Sequence, residues 1–132
     1  NDINLIEIGV NIKLKLDNIF LERAIDIILI ENQISTLATR MKTIQGMIAQ
    51  YFINNDKTNI KFISSKNKLK NYNFKKKTYN ERKKSSIEVT KQILDENINI
   101  NKHVDFFNKN KKKDDLADCF LQGLWYIHTI NK

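Results

Sequence analysis

Apolar positions recur along this chain with two different rhythms. From about Leu5 to Leu16 they alternate, with Ile12, Leu14 and Leu16 on one side and Lys13 and Lys15 on the other. A period of two predicts a strand within residues 3–16 that has one wet face. Residues 24–30, Ala-Ile-Asp-Ile-Ile-Leu-Ile, form a short run rich in β-branched side chains. Such a run predicts a central strand covered on both faces, with Glu31 directly at its end. The rhythm then changes to three and four. Leu37, Met41, Ile44, Ile48 and Phe52 make one apolar stripe, which predicts a helix running to about Phe52 and capped by Ser35 or Thr36. Met41 and Met47 are expected as core filler. Gly46 inside this helix is either a tolerated defect or a point of close approach to another backbone.

Asn54-Asn55-Asp56 predicts a turn, and Asn59 to Ser64 a further strand carrying Ile60, Phe62 and Ile63. Residues 65–79 show no clear period and predict a loop. Helical spacing resumes over 80–96 with Ile87, Ile93 and Leu94, lapses over the polar stretch 97–113, and returns over 114–130. The last segment has two adjacent apolar rows, Leu116/Phe120/Leu124 and Ala117/Leu121/Trp125, so it is expected to be packed. The order strand, strand, helix, strand, helix, helix implies an α/β sheet with covered faces. The length of 132 residues implies a single domain over 1–132.

Composition narrows the function classes. Hydrophobic residues make up 41% and charged residues 29%, the balance of a globular, soluble chain rather than a disordered one. No run of about 18 apolar residues is present, so no membrane span is expected. The single cysteine, Cys119, cannot make an internal disulfide and is expected as a small buried residue. Two histidines, His103 and His128, do not make a zinc site, and no Gly-rich phosphate loop occurs. His128 falls on the Leu116 row and is expected at the edge of the core.

Charge is unevenly spread. Residues 57–84 hold eleven Lys or Arg and one acid, Glu81, which is +10 in a chain whose total is +8. A basic block beside a mildly acidic remainder suits a polyanion, with nucleic acid the usual one; a solvated lysine-rich loop is the plainer reading. Within and beside that block, Lys66, Lys68, Lys70, Lys75, Lys76, Lys77, Arg82, Lys83 and Lys84 are the candidate phosphate contacts. Tyr72, Phe74 and Tyr79 either stack on unpaired bases or anchor the loop on the core.

Acid is concentrated elsewhere. Asp114-Asp115-Leu116-Ala117-Asp118 puts three carboxylates at the start of a helix otherwise built for burial. Residues three or four apart share a helix face, so Asp115 and Asp118 point the same way. A divalent ion removes the repulsion between such carboxylates; the plainer reading is that acids favour the positive end of a helix. Glu31, at the carboxyl end of a strand, joins this set as a candidate. Glu31, Asp115 and Asp118 are oxygen ligands suited to Mg²⁺ or Mn²⁺, and two such ions are expected in phosphodiester hydrolysis.

Three stretches carry a resemblance: Ile30-Glu31-Asn32-Gln33, Arg40-Met41-Lys42-Thr43-Ile44-Gln45-Gly46-Met47-Ile48, and Lys113-Asp114-Asp115-Leu116-Ala117-Asp118. They resemble the RuvC-like Holliday-junction resolvases, in particular the branch of poxviruses and related large DNA viruses, with yeast mitochondrial resolvases as cousins. Tyr79-Asn80-Glu81-Arg82-Lys83-Lys84-Ser85-Ser86-Ile87 is similar to the same viral branch. The resemblance implies an RNase H-like, RuvC-type mixed sheet flanked by helices. It also implies a homodimer that nicks four-way DNA junctions symmetrically, with metal, in recombination or replication intermediates. The implied setting is inside the cell, in a viral replication compartment of the host cytoplasm or in a mitochondrion. Carried over, Glu31, Asp115 and Asp118 are metal-binding carboxylates, and Lys83 or Lys84 the catalytic lysine. The family's opening Asp-Ile-Gly-like strand has no counterpart here, since Ile8-Gly9 is preceded by Glu7. Its first strands are therefore expected to be missing from this sequence, because a sheet that began at the third would expose a long edge. A nucleic-acid-binding protein without activity, and a nuclease of the same fold for hybrids or flaps, are the alternatives.

Overall fold

A computed structural model describes residues 3–34, 36–72 and 78–132. The chain forms two compact units, Asn1–Ser64 and Ser65–Lys132, where the sequence predicts one domain.

The first unit opens with a helix rather than the predicted strand. Helix α1 spans Leu5–Phe20, and the Asn4 side chain caps it by accepting from the Glu7 N–H at 3.1 Å. The alternation of Ile12, Leu14 and Leu16 is a local coincidence. Over a longer window the half-buried apolar positions are Ile8, Ile12, Leu16 and Phe20, a strict step of four. Lys13 and Asp17, also four apart, close a salt bridge of 2.7 Å along the helix. α1 packs on α2, and the Phe20 and Phe52 rings meet edge-on with centroids 5.6 Å apart.

Strand β1 (Ile28–Glu31), helix α2 (Thr39–Asn54) and strand β2 (Ile60–Ile63) follow. The strands are parallel, with Ile28 opposite Ile60 and Glu31 opposite Ile63, so α2 is the crossover that parallel pairing demands. β1 is shorter than the predicted run, and of its four residues Ile28 is the buried one. The expectation of a strand covered on both faces therefore does not hold. The predicted helix is present, but a 3-10 turn over Thr36–Ala38 precedes it, and Ser35 lies outside the described residues. Phe52 is buried, Ile44 and Ile48 are half-buried, and Met41 is exposed rather than core filler. A Cβ at Gly46 would meet nothing within 4 Å, so that glycine marks no close approach. Asp56 ends the predicted turn at φ 59°, a left-handed conformation that aspartate tolerates.

The second unit is helical. A 3-10 turn, Ser65–Asn67, leads towards helix α3 (Tyr79–Glu96). A further turn at Asn101–His103, the short helix α4 (Val104–Lys109) and helix α5 (Lys113–Ile130) complete it. α4 lies inside the stretch predicted as loop. Its six residues are too few to show a period, yet Phe107 is buried with Leu94 and Ala117, and Ile100, Val104 and Phe120 pack around them. α3 and α5 pack together along an unusually polar seam. Ser85, Ser86 and Thr90 of α3 are buried, as are Ala117, Leu121 and Gln122 of α5. Cys119 and His128 are both exposed, contrary to expectation, because the buried row of α5 runs through Ala117 and Leu121. No helix among the described residues is long and apolar enough to cross a membrane.

Candidate functional site

The start of α3 is fixed locally. Thr78 and Glu81 form a capping box: the Thr78 hydroxyl accepts from the Glu81 N–H at 3.3 Å, and the Glu81 carboxylate accepts from the Thr78 N–H at 2.7 Å. Tyr79, Arg82 and Lys83 thus sit on an ordered first turn. α5 begins with Asp114 and Asp115 in its own first turn, where no side chain caps it and negative charge meets the positive end of the helix.

Two salt bridges bring these parts together. Lys83 Nζ donates to Asp114 Oδ2 at 2.8 Å and stands 5.0 Å from the Tyr79 ring centroid. Lys68 Nζ donates to Asp118 Oδ2 at 2.6 Å. Lys66, Lys68, Arg82, Lys83, Tyr79 and Asp118, with Ser65 and Leu69, line one cleft of about 370 Å³. Four cations and one carboxylate share it, so the cleft is a concentrated positive surface with a single acid in its wall.

Electrostatics fixes the protonation states. The hydrogen bond to Asp114, and then the contact with Tyr79, push the Lys83 ammonium well above its ordinary range. Lys83 therefore stays charged at any physiological pH and acts as a cation, not as a base. The same hydrogen bond holds the Asp114 carboxyl below the usual carboxylate range. Asp118 is only half satisfied: its Oδ1 is buried and has no hydrogen-bond partner among the described residues.

The predicted residues are distributed unevenly over this arrangement. Asp118, Lys66, Lys68, Arg82 and Lys83 reach the cleft. Asp115 and Lys84 are exposed and do not line it. Lys70 stands 5.7 Å from the Trp125 ring instead. Phe74, Lys75, Lys76 and Lys77 lie outside the described residues. Tyr72 is half-buried and desolvation pushes its phenol up, which favours the anchoring role over stacking; Tyr79 is exposed. Glu31, in the first unit, ends β1 half-buried, and Gln33 Nε2 donates to its Oε1 at 3.4 Å. Asp114 is the residue that sequence reasoning undervalued. Its spacing of four from Asp118 was visible, but its partner Lys83 lies 31 positions away.

A metal ion is the group that the family resemblance implies for these acids. Within neither unit do three or more His, Cys, Asp or Glu side chains, among the described residues, gather as a metal site. Asp118 keeps one buried carboxylate oxygen without a donor among the described residues, but its charge is paired with Lys68, and one carboxylate among four cations does not by itself fit such an ion.

The first unit holds a cluster of its own. Tyr51 donates to Asp17 Oδ1 at 2.8 Å beside a cavity of about 650 Å³. Desolvation first, and the Asp17 bond second, raise the Tyr51 phenol from 10.0 to about 12. Lys13 and then Tyr51 hold the Asp17 carboxyl below its ordinary range. A raised phenol contributes stability that is whole below about pH 10 and is lost as pH rises through about 12. The Asp17 contribution is present above the ordinary carboxylate range and is lost on acidification. Ultraviolet titration of the wild type minus Tyr51→Phe should give a midpoint near 12, moved partway towards 10 by Asp17→Asn. An unshifted wild-type midpoint would remove the bond.

Residues 2–132 match the family described as Poxvirus A22 protein. The chain is also similar to "Uncharacterized protein L451" of Acanthamoeba polyphaga mimivirus, at 31% identity over 137 residues. That similarity takes in 88% of this chain and 32% of the relative, so the chain spans about a third of the relative's length. No solved structure matches. With a match that runs almost end to end, the chain belongs to the poxvirus A22 protein family.

Proposed function

We propose that this protein is a metal-dependent endonuclease of the Holliday-junction-resolving type. In this reading it has an RNase H-like fold and acts as a homodimer on four-way DNA junctions. The observation that carries the reading is the cleft in which Lys66, Lys68, Arg82 and Lys83 surround Asp118. Membership of a viral family whose resemblance is to junction resolvases supports it, as does the parallel β1–α2–β2 unit with Glu31 at a strand end.

The division of labour follows from the chemistry of each group. Lys66 and Arg82 neutralise backbone phosphates. Arg82 can engage a phosphate through two N–H groups at once, which fixes its orientation. Lys83, held charged by Asp114, lends positive charge near a phosphate without competing for its protons. Tyr79 offers an exposed ring on which an unpaired base can stack. Asp118 and Asp115 on α5 are the metal ligands in this reading, and Glu31 is the ligand that the family resemblance implies. A Mg²⁺ or Mn²⁺ ion would supply Lewis acidity towards the scissile phosphodiester. Symmetric nicking needs two copies of the site, which a two-fold dimer provides.

The test is cleavage of an end-labelled synthetic four-way junction with Mg²⁺ or Mn²⁺. Paired nicks that ligase reseals are expected. Lys66→Ala and Arg82→Ala should each weaken junction binding and reduce the slope of log affinity against log salt by about one. An unchanged slope in both variants would take phosphate binding away from this cleft.

A second reading has an observation of its own. Asp114 and Asp118 are each already neutralised by a lysine, as in a binding module with no chemistry. Metal-independent junction binding without nicks would favour it.

A further inference from the structure

We infer that the cleft of the second unit is a pocket for one unpaired nucleotide, and that Tyr79 makes the protein select DNA in which such a nucleotide is available. The inference rests on the reading of this cleft as a phosphate-binding site, and on nothing about metal or cleavage. A surface that only gripped duplex phosphates would need cations alone. This cleft also presents the Tyr79 ring and Leu69. Cations interleaved with a stacking ring are the composition of a single-strand site, where the base meets a π-face and the backbone meets charge. The volume of about 370 Å³ lies near the lower end of the range for small-molecule pockets, roughly 300–1,000 Å³, so it suits one nucleotide and not a duplex.

The ring is held rather than loose. The Thr78–Glu81 capping box orders the turn that carries it. Lys83 Nζ stands over one face, 5.0 Å from the centroid, and is itself held by Asp114 at 2.8 Å. Tyr79 is nevertheless 65% exposed, so much of the ring is left for a partner. A ring fixed beforehand loses little freedom when a base settles on it. Lys66 and Arg82 line the same cleft, so a nucleotide stacked on Tyr79 brings its phosphate among cations. The one acid of the cleft, Asp118, is paired with Lys68 at 2.6 Å and so opposes that phosphate little. In a continuous duplex each base lies inside the stack and must be extruded before it reaches the ring, losing its stacking and pairing. An unpaired nucleotide arrives without that loss. Branch points, bulges and flaps offer such nucleotides, and continuous duplex does not.

The experiment uses the full chain in EDTA, so that neither metal nor cleavage enters the measurement. Three labelled DNAs with the same flanking sequence are compared by fluorescence anisotropy: a continuous duplex, that duplex with one extrahelical 2-aminopurine, and that duplex with an abasic site in its place. The abasic DNA keeps the bulge and removes the base. The wild type is expected to bind the 2-aminopurine bulge about tenfold more tightly than the abasic one, towards the lower end of what one base on one aromatic side chain contributes. Binding should also quench the 2-aminopurine as it stacks. In Tyr79→Ala the ratio should fall to near one and the quench should vanish. Tyr79→Phe, which keeps the ring, should retain both. Tyr79→Leu replaces Tyr79→Ala if circular dichroism shows that variant unfolded. A wild-type ratio near one, or a ratio that Tyr79→Ala leaves intact, overturns the inference. Lys66→Ala and Arg82→Ala keep the two readings apart. If either lowers the salt slope while Tyr79→Ala leaves the ratio unchanged, the cleft binds phosphates and the nucleotide pocket fails. If neither lowers it, phosphate binding leaves the cleft and the inference goes with it.

Discussion

Asp118→Asn is expected to reduce junction cleavage by about 10²–10⁴-fold while leaving junction binding intact or slightly tighter. The lower rate follows from removing a charge that would hold a metal ion, whose stabilisation of a phosphoryl transition state is worth several kcal/mol. The preserved binding follows from the cleft itself. Asparagine has nearly the shape of aspartate, so the packing of α5 is kept. Its neutral amide holds Lys68 less strongly than a carboxylate at 2.6 Å. One negative charge is thus removed from a cleft lined by four cations, and one of those cations is released. Both changes favour a polyanion. Gel-shift titration in EDTA and cleavage in Mn²⁺ separate the two effects. Cleavage at the wild-type rate, in this variant and in Glu31→Gln, would sink the proposed site.

Leu121→Ala is expected to destabilise the protein by about 2–5 kcal/mol, a large share of a typical folding free energy. Leu121 is 1% exposed, within the seam where α3 packs on α5. Most other buried positions on that seam are small or polar, so little apolar surface stands ready to refill the space. Ser86→Ala is the control. Its hydroxyl is buried without a hydrogen-bond partner among the described residues, so its removal should be neutral or should stabilise by up to about 1 kcal/mol. Urea unfolding of both variants, with the slope checked for constancy, gives the comparison. A loss below about 1 kcal/mol in Leu121→Ala would mean that the core lies elsewhere than the α3–α5 seam.

Sequence patterning located most elements and failed where its windows were short. α2, α3 and α5 stand where periodicity put them, because each carries apolar residues over a length that separates period two from period four, and β2 stands where its short apolar run after the turn put it. α1 was misread because Ile12 and Leu16 satisfy both rhythms, while Leu14, which satisfies only the period of two, is exposed. The decisive position, Phe20, lies beyond the alternating stretch. α4 escaped because six residues cannot display a period; its one strong clue was the pair Val104 and Phe107. The candidate site was legible in its composition but not in its pairing. Acids on α5 and bases in residues 57–84 were evident. That Lys68 would take Asp118, 50 positions away, and Lys83 take Asp114 is decided by tertiary packing. Asp115, which spacing placed beside Asp118, faces solvent instead. The bond between Asp17 and Tyr51 was hidden by the strand assignment, which put no helix face next to α2.

Glu81 is the single acid within the most basic stretch of the chain. A carboxylate in that position would ordinarily repel the phosphates that its neighbours attract. Here it is turned onto the Thr78 N–H at the mouth of α3, where the helix's own positive pole absorbs much of its field. The acid that interrupts the basic stretch therefore serves as a clasp. Under the proposed function, drift at Thr78 or Glu81 would register as weakened grip on a polyanion, although neither residue need ever touch one.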